Sequence, residues 1–119
     1  MSNVRIARDS SAEELTPLAL AIHSICGLPI TMRSRCCLGV RVEGGKVIDD
    51  HYTGPVLEEV LQKGTIVRKA PDEGVYKGIP VIVVPLKEGE ETIAALGVVD
   101  ITYGVYSEAT LIGRRKPKP

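Results

Sequence analysis

The sequence predicts an α+β fold, a central antiparallel sheet with flanking helices in the order α-β-β-α-β-β-α, and three observations predict it. Ile79 to Leu86 and Ile93 to Ile101 are apolar, β-branched runs joined by the charged turn LysGluGlyGluGlu at 87–91, the pattern of a hairpin. GlyGly at 44–45 separates two further strand-like runs and permits positive φ at both positions of a two-residue turn. Two stretches with apolar residues three and four apart begin near Ser11 and Pro55, residue types suited to opening helices.

Each element has a local reason. Residues 1–10 carry mixed charge and no sustained period, so they are expected to form an N-terminal arm. Ser11 and Glu14 have capping-box spacing, and Leu15, Leu18, Ala19, Ile22 and Ile25 or Cys26 make one apolar face ended by Gly27. Pro17 is awkward inside that helix, which makes Thr16 an alternative start. Pro29 to Met32 is short and extended. Cys37 to Glu43 and Lys46 to Asp50 then flank the glycine pair, with Leu38, Val40 and Val42 on a core face and Gly39, Arg41 and Glu43 on a wet one.

HisTyrThrGlyPro at 51–55 breaks the strand, and Pro55 leads a second helix closed by Gly64 with Val56, Leu57, Val60 and Leu61 as its buried stripe. Glu58 and Glu59 fall on its solvated side. Thr65 to Arg68 has the pattern of an extra short strand, and residues 70–74 that of a loop. The main hairpin follows. Its runs lack apolar/polar alternation, which places it in the middle of a sheet covered on both faces. A third helix is expected over 105–112, then a basic, proline-interrupted tail at 114–119.

Composition narrows the function classes. A chain of 119 residues buries one core, so residues 11–113 are read as a single domain. Fifteen basic residues balance fifteen acidic ones, which disfavours a general polyanion-binding role. Phe and Trp are absent, which weakens any case for base stacking. Nucleic acid is therefore not an expected partner, and the tail's four cations read as solubilising. No apolar run approaches a membrane span, and the first eleven residues are too polar for a signal peptide, so a cytoplasmic protein with no membrane partner is expected. Three cysteines, two of them the neighbours Cys36 and Cys37, make a poor disulfide framework.

At Tyr76 to Asp100 the segment YKGIPVIVVPLKEGEETIAALGVVD resembles the closing hairpin of small GAF, PAS and profilin-like sensor domains, with Gly78, Pro80, Pro85, Gly97 and Asp100 carrying the likeness. From LTPLALAIHSICGLPITMRSRC to GVVDITYG the chain also resembles a small archaeal domain family of unknown function found mainly in methanogens. The sensor resemblance implies a ligand or partner pocket between sheet and helices. The short length and the lack of large aromatics argue against a bulky planar cofactor, and no particular cofactor is indicated.

Candidate chemistry follows from residue types. Cys36, Arg41, His51 and Tyr76 each lie in or beside an expected strand and can bond or ligate, so they are the expected polar lining of a small-molecule pocket. His23 and Cys26 share a helix face, and with Cys36, Cys37 and His51 they offer two imidazoles and three thiolates to a soft metal, although the spacing matches no standard finger. One of the paired thiols, near Arg33 or Arg35, is also a candidate reactive group. Arg33, Arg35 and Arg41 together suggest an anion site, without a glycine-rich phosphate loop to support it. No catalytic triad order, nucleophile elbow, HExxH or dinucleotide fingerprint is present, so an enzyme is unsupported. The leading expectation is a stand-alone sensory or regulatory module that binds a small metabolite and signals through a homodimer or another partner. The alternatives are a structural or adaptor dimerisation module without ligand, and a Cys/His-dependent metal or redox sensor.

Overall fold

The computed structural model describes residues 4–100. The elements are α1 (Ala12–Cys26), β1 (Ile30–Ser34), β2 (Gly39–Glu43), β3 (Lys46–Tyr52), α2 (Pro55–Lys63), β4 (Val67–Lys69), β5 (Val81–Glu88) and β6 (Glu91–Val99). The order among the described residues is thus α-β-β-β-α-β-β-β rather than the expected α-β-β-α-β-β-α. The short extended stretch after Gly27 is a full strand, and the segment near 67 is another. The expected helix at 105–112, the tail at 114–119 and the end of the last strand at Ile101 lie outside the described residues.

The six strands form one antiparallel sheet in the order β3-β2-β1-β6-β5-β4. Its centre is the β1–β6 pair, in register from Ile30 opposite Val98 to Ser34 opposite Ala94. The main hairpin turns more tightly than its charged loop suggested, because Glu88 pairs with Glu91 and only Gly89, at φ 62°, and Glu90 lie between. Pro85 sits beyond the stretch of β5 that pairs with β4, where its missing N–H breaks no ladder bond on that side.

Register places the two helices on opposite faces. Ile30 and Met32 lie opposite Val98 and Leu96, and they pack with Leu15 and Ala19 of α1 and with Val40 and Val42. Ala95 and Val83 instead pack with Val56, Leu57, Val60 and Leu61 of α2. Since Ala95 alternates with Leu96 along β6, the two clusters must stand on different sides of the sheet.

Local chemistry sets the helix ends. Ser11 and Glu14 form the expected capping box, so α1 starts at Ala12 and Pro17 lies inside it. The helix tolerates this because Pro17 and Glu13, whose carbonyl loses its donor, both face solvent. The buried stripe is Leu15, Ala19 and His23, whereas Ile25 is 85% exposed and Cys26 is exposed, contrary to the expected apolar face. Leu38 is also exposed because β2 begins one residue later, at Gly39. The arm is tied down: Ser10 is fully buried, its carbonyl accepts from Ser34 Oγ at 2.7 Å, and the Arg8 carbonyl accepts from Cys36 N–H at 2.9 Å.

Candidate functional site

Two concavities lie on opposite faces. Beside α1 an open groove of about 350 Å³ is lined by Ile22, Cys26, Leu28, Ile82, Val84 and Leu96 among others, and it is almost wholly apolar. On the α2 face a narrow cavity of about 30 Å³ lies between the sheet, the first turn of α2 and the 71–76 loop. That volume admits water-sized guests. The smaller cavity holds the chemistry.

Its floor is set by strand alternation, which points Thr31, opposite Gly97, into the α2 face. Gly97 is needed there. A Cβ at that position would lie 2.8 Å from Thr31 Oγ1 and 3.0 Å from a Val83 methyl. Tyr52, at the end of β3, enters from the side. Thr31 and Tyr52 are each only 7% exposed. Neither side-chain hydroxyl has a hydrogen-bond partner among the described residues.

The first turn of α2 adds two more unmet groups. Gly54 is its N-cap and supplies no side-chain bond, and the first backbone bond is from Glu58 N–H to the Gly54 carbonyl at 3.0 Å. The N–H groups of Val56 and Leu57, residues only 4% and 2% exposed, are left without a cap among the described residues. Backbone conformation does not demand glycine at the cap, since its φ of −148° and ψ of 164° suit any residue. Space does. A Cβ on Gly54 would lie 2.7 Å from the Tyr52 hydroxyl oxygen. The usual Ser, Thr or Asp cap is excluded by the phenol that stands where the cap would be.

Tyr76, from the 71–76 loop, also lines the cavity. Its hydroxyl donates to Glu43 Oε2 at 2.6 Å, Arg41 Nε donates to the same oxygen at 3.1 Å, and the Arg41 guanidinium lies 5.6 Å from the Tyr76 ring centroid. Burial, then the bond to Glu43, pushes the Tyr76 phenol well above its ordinary value. The Tyr76 bond, helped by Arg41, holds the Glu43 carboxyl below its ordinary value. Tyr52 is raised chiefly by burial. The partly buried groups with shifted values therefore gather around one cavity, while the other shifted groups, Arg5, Glu59 and Lys69, are surface ion pairs.

The expected residues divide sharply. Tyr76 lines the cavity and Arg41 bonds to it, but Cys36 and His51 are exposed and absent from its lining. The five expected metal ligands do not converge. His23 is buried with both nitrogens engaged, Nε2 accepting from Gly45 N–H at 2.9 Å and Nδ1 2.6 Å from the Leu28 carbonyl, so it staples α1 to the β2–β3 turn. Cys26 and Cys36 are exposed, and Cys37 Sγ lies 3.4 Å from the Asp9 carbonyl. Among the described residues, one cluster of three metal-type ligands occurs, Asp49, Asp50 and His51, on the outer part of β3.

The arginine trio is also split. Arg33, 8% exposed, donates to Glu58 at 2.7 Å, to Thr53, and to the Ser34 and Arg35 carbonyls. Glu58 is thus a structural partner rather than purely solvated charge. Arg35 caps the far end of α2, donating to the Leu61 carbonyl at 2.7 Å and to the Thr92 carbonyl at 2.8 Å. Both are committed to joining α2 to the sheet. Thr31, Tyr52 and Gly54 escaped the sequence reading, although glycine at a position where a helix calls for a capping side chain was a visible signal.

A family model described as an uncharacterized protein conserved in archaea (DUF2111) matches residues 22–102. The cavity lining, from Pro29 to Val99, falls within that span. The chain is also 45% identical over 113 residues to the uncharacterized protein MJ0405 of Methanocaldococcus jannaschii, covering 94% of this chain and 86% of that protein. No solved structure matches, and the resemblance to GAF, PAS and profilin-like sensors gains no support from these matches. No helix among the described residues is long and apolar enough to cross a membrane.

Proposed function

The chain belongs to this archaeal family, and we propose that it is a small-molecule-binding regulatory module whose ligand enters under the 71–76 loop and sits at the first turn of α2. The observation that carries this is the convergence of unmet polar groups on one cavity: the Thr31 and Tyr52 hydroxyls and the N–H groups of Val56 and Leu57. Buried donors are nearly always paired, and each one left unmet costs roughly 1–3 kcal/mol. Four at one place, unpaired among the described residues, favour a bound partner there.

Ligand entry displaces the loop. Its polar hold on the sheet is the Tyr76 bond to Glu43 and Arg41, and Gly74 and Gly78, both at positive φ, flank the tyrosine as pivots. A ligand that prefers the open loop shifts the balance between two loop positions by its differential affinity. That shift is what a second protomer or another protein would read.

The test is native mass spectrometry of protein purified without chelator. A retained small-molecule mass that is lost in Tyr52→Phe is expected. Bare protein whose melting temperature is insensitive to cell extract would sink the proposal. A retained metal mass would turn attention to Asp49, Asp50 and His51, and a bare dimer would favour an adaptor.

A further inference from the structure

Resting on the binding-module proposal above, we infer that the ligand is a small aliphatic monocarboxylic acid, its carboxylate at the first turn of α2 and its hydrocarbon body against the valines of the sheet. The polar groups at the head of the cavity decide the sign. Val56 and Leu57 offer N–H donors only, and the Tyr52 hydroxyl, beside Gly54, adds a third donor. A helix N-terminus carries partial positive charge and suits an anion. Here that feature does not stand alone, because Tyr52 and Thr31 are both more than nine-tenths buried, unpartnered among the described residues, and set into the same cavity.

Charge on the walls decides the number of negative groups. Among the described residues no cation lines the cavity. Arg33 and Arg35 are committed to Glu58 and to carbonyls, and Arg41 is paired with Glu43. A phosphate would be buried without its usual Arg or Lys partners, whereas one carboxylate is matched by two N–H groups and a phenol. Glu73 at the rim repels a second carboxylate. The apolar remainder, including Val81, Val83 and Val99, takes an aliphatic body. Because the cavity measures about 30 Å³, it holds little more than the head group, and a longer body requires the loop to lift.

The experiment follows the amide resonances of Val56 and Leu57 while isobutyrate, isobutyramide or inorganic phosphate is titrated into the full chain. Saturable shifts with isobutyrate are expected, at least tenfold tighter than with its uncharged isostere and weakened about tenfold by Tyr52→Phe. Thr31→Val carries the same comparison if Tyr52→Phe does not fold. Isobutyramide binding as tightly as isobutyrate, phosphate binding more tightly, or no probe shifting these amides would each overturn the carboxylate assignment. A retained mass in the native spectrum would then leave the binding module standing. Loss of both would remove the two together.

Discussion

The sheet has two faces that solve folding differently. Under α1 the core is Leu15, Ala19, Ile30, Met32, Val40 and Val42, all fully buried, and the buried polar groups beside it, His23, Ser10 and Ser34, are each hydrogen-bonded. Under α2 a similar apolar cluster is threaded with polar groups: Arg33 and Arg35 tie the helix to strand and loop carbonyls, and Thr31, Tyr52 and Tyr76 line a cavity, with Arg41 and Glu43 bonded to Tyr76. On the first face each of these buried polar groups has its partner. The second keeps buried polar groups that a pure scaffold would replace at lower cost. The polar face is therefore where function is to be sought, even though the open groove beside α1 is far larger.

Substitutions can break or sharpen that contrast. The largest effect is expected from Leu15→Ala, a fully buried side chain, which should cost about 2–5 kcal/mol in urea denaturation. The binding shifts at Val56 and Leu57 should be unchanged, and a matching loss of ligand affinity would abolish the distinction between faces. Arg33→Met should cost about 1–3 kcal/mol because it removes the donor of the Ser34 and Arg35 carbonyls and the bonds to Glu58 and Thr53. Unlike Leu15→Ala, it should also loosen the α2 amides to hydrogen exchange.

Gly97→Ala should cost about 1–3 kcal/mol by crowding Thr31 and Val83, and it should reduce probe binding by more than its effect on stability. Tyr76→Phe should cost about 1–2 kcal/mol, since it removes a bond to a carboxylate, and it should speed ligand entry by freeing the loop.

The pH dependence of that last variant has a definite sign. The folded Glu43 carboxyl lies below its ordinary 4.5, so its contribution is present above about that pH and is lost as pH falls through the folded value. The folded Tyr76 phenol lies above its ordinary 10.0, so its contribution is complete below that pH and fades as pH rises through the folded value. The difference in melting temperature between wild type and Tyr76→Phe should therefore be flat from about pH 5 to 9 and shrink at both ends. The smallest effects are expected from Cys36→Ser and His51→Ala, both exposed. Each should change stability by less than about 0.5 kcal/mol and leave the probe shifts untouched.

Much of the fold was legible because its signals are local. The Ser11–Glu14 box, Pro55, Gly64 and the GlyGly pair at 44–45 act within a few residues of themselves, and each does what its chemistry dictates. Two apparent signals misled. Ile25 extends the apolar period of α1 but lies off the buried stripe of Leu15, Ala19 and His23, and His23 takes the buried place because the Leu28 carbonyl and Gly45 N–H satisfy its ring. The charged residues 87–91 read as loop, yet Lys87, Glu88 and Glu91 stand in strands whose ends project into solvent.

The site was legible only in part. Of the residues singled out by type beside expected strands, Tyr76 lines the cavity and Arg41 bonds to Tyr76. Cys36 and His51 have equally suggestive chemistry and point elsewhere. Thr31 is unremarkable by type and reaches the floor of the cavity where Gly97 lies opposite it. The sequence by itself determined the helix caps, the turns and the alternation that assigns each strand residue to a face, since these depend on neighbours along the chain. Tertiary structure alone decided which face received which helix, that Arg33 and Arg35 would be spent on carbonyls, and that Tyr52 would occupy the cap of α2. The placing of the helices and the ties that hold α2 depend on groups 20 and more residues apart, such as Arg33 with Thr53 and Glu58 and Arg35 with Leu61, and no local periodicity encodes which of many candidate partners will arrive.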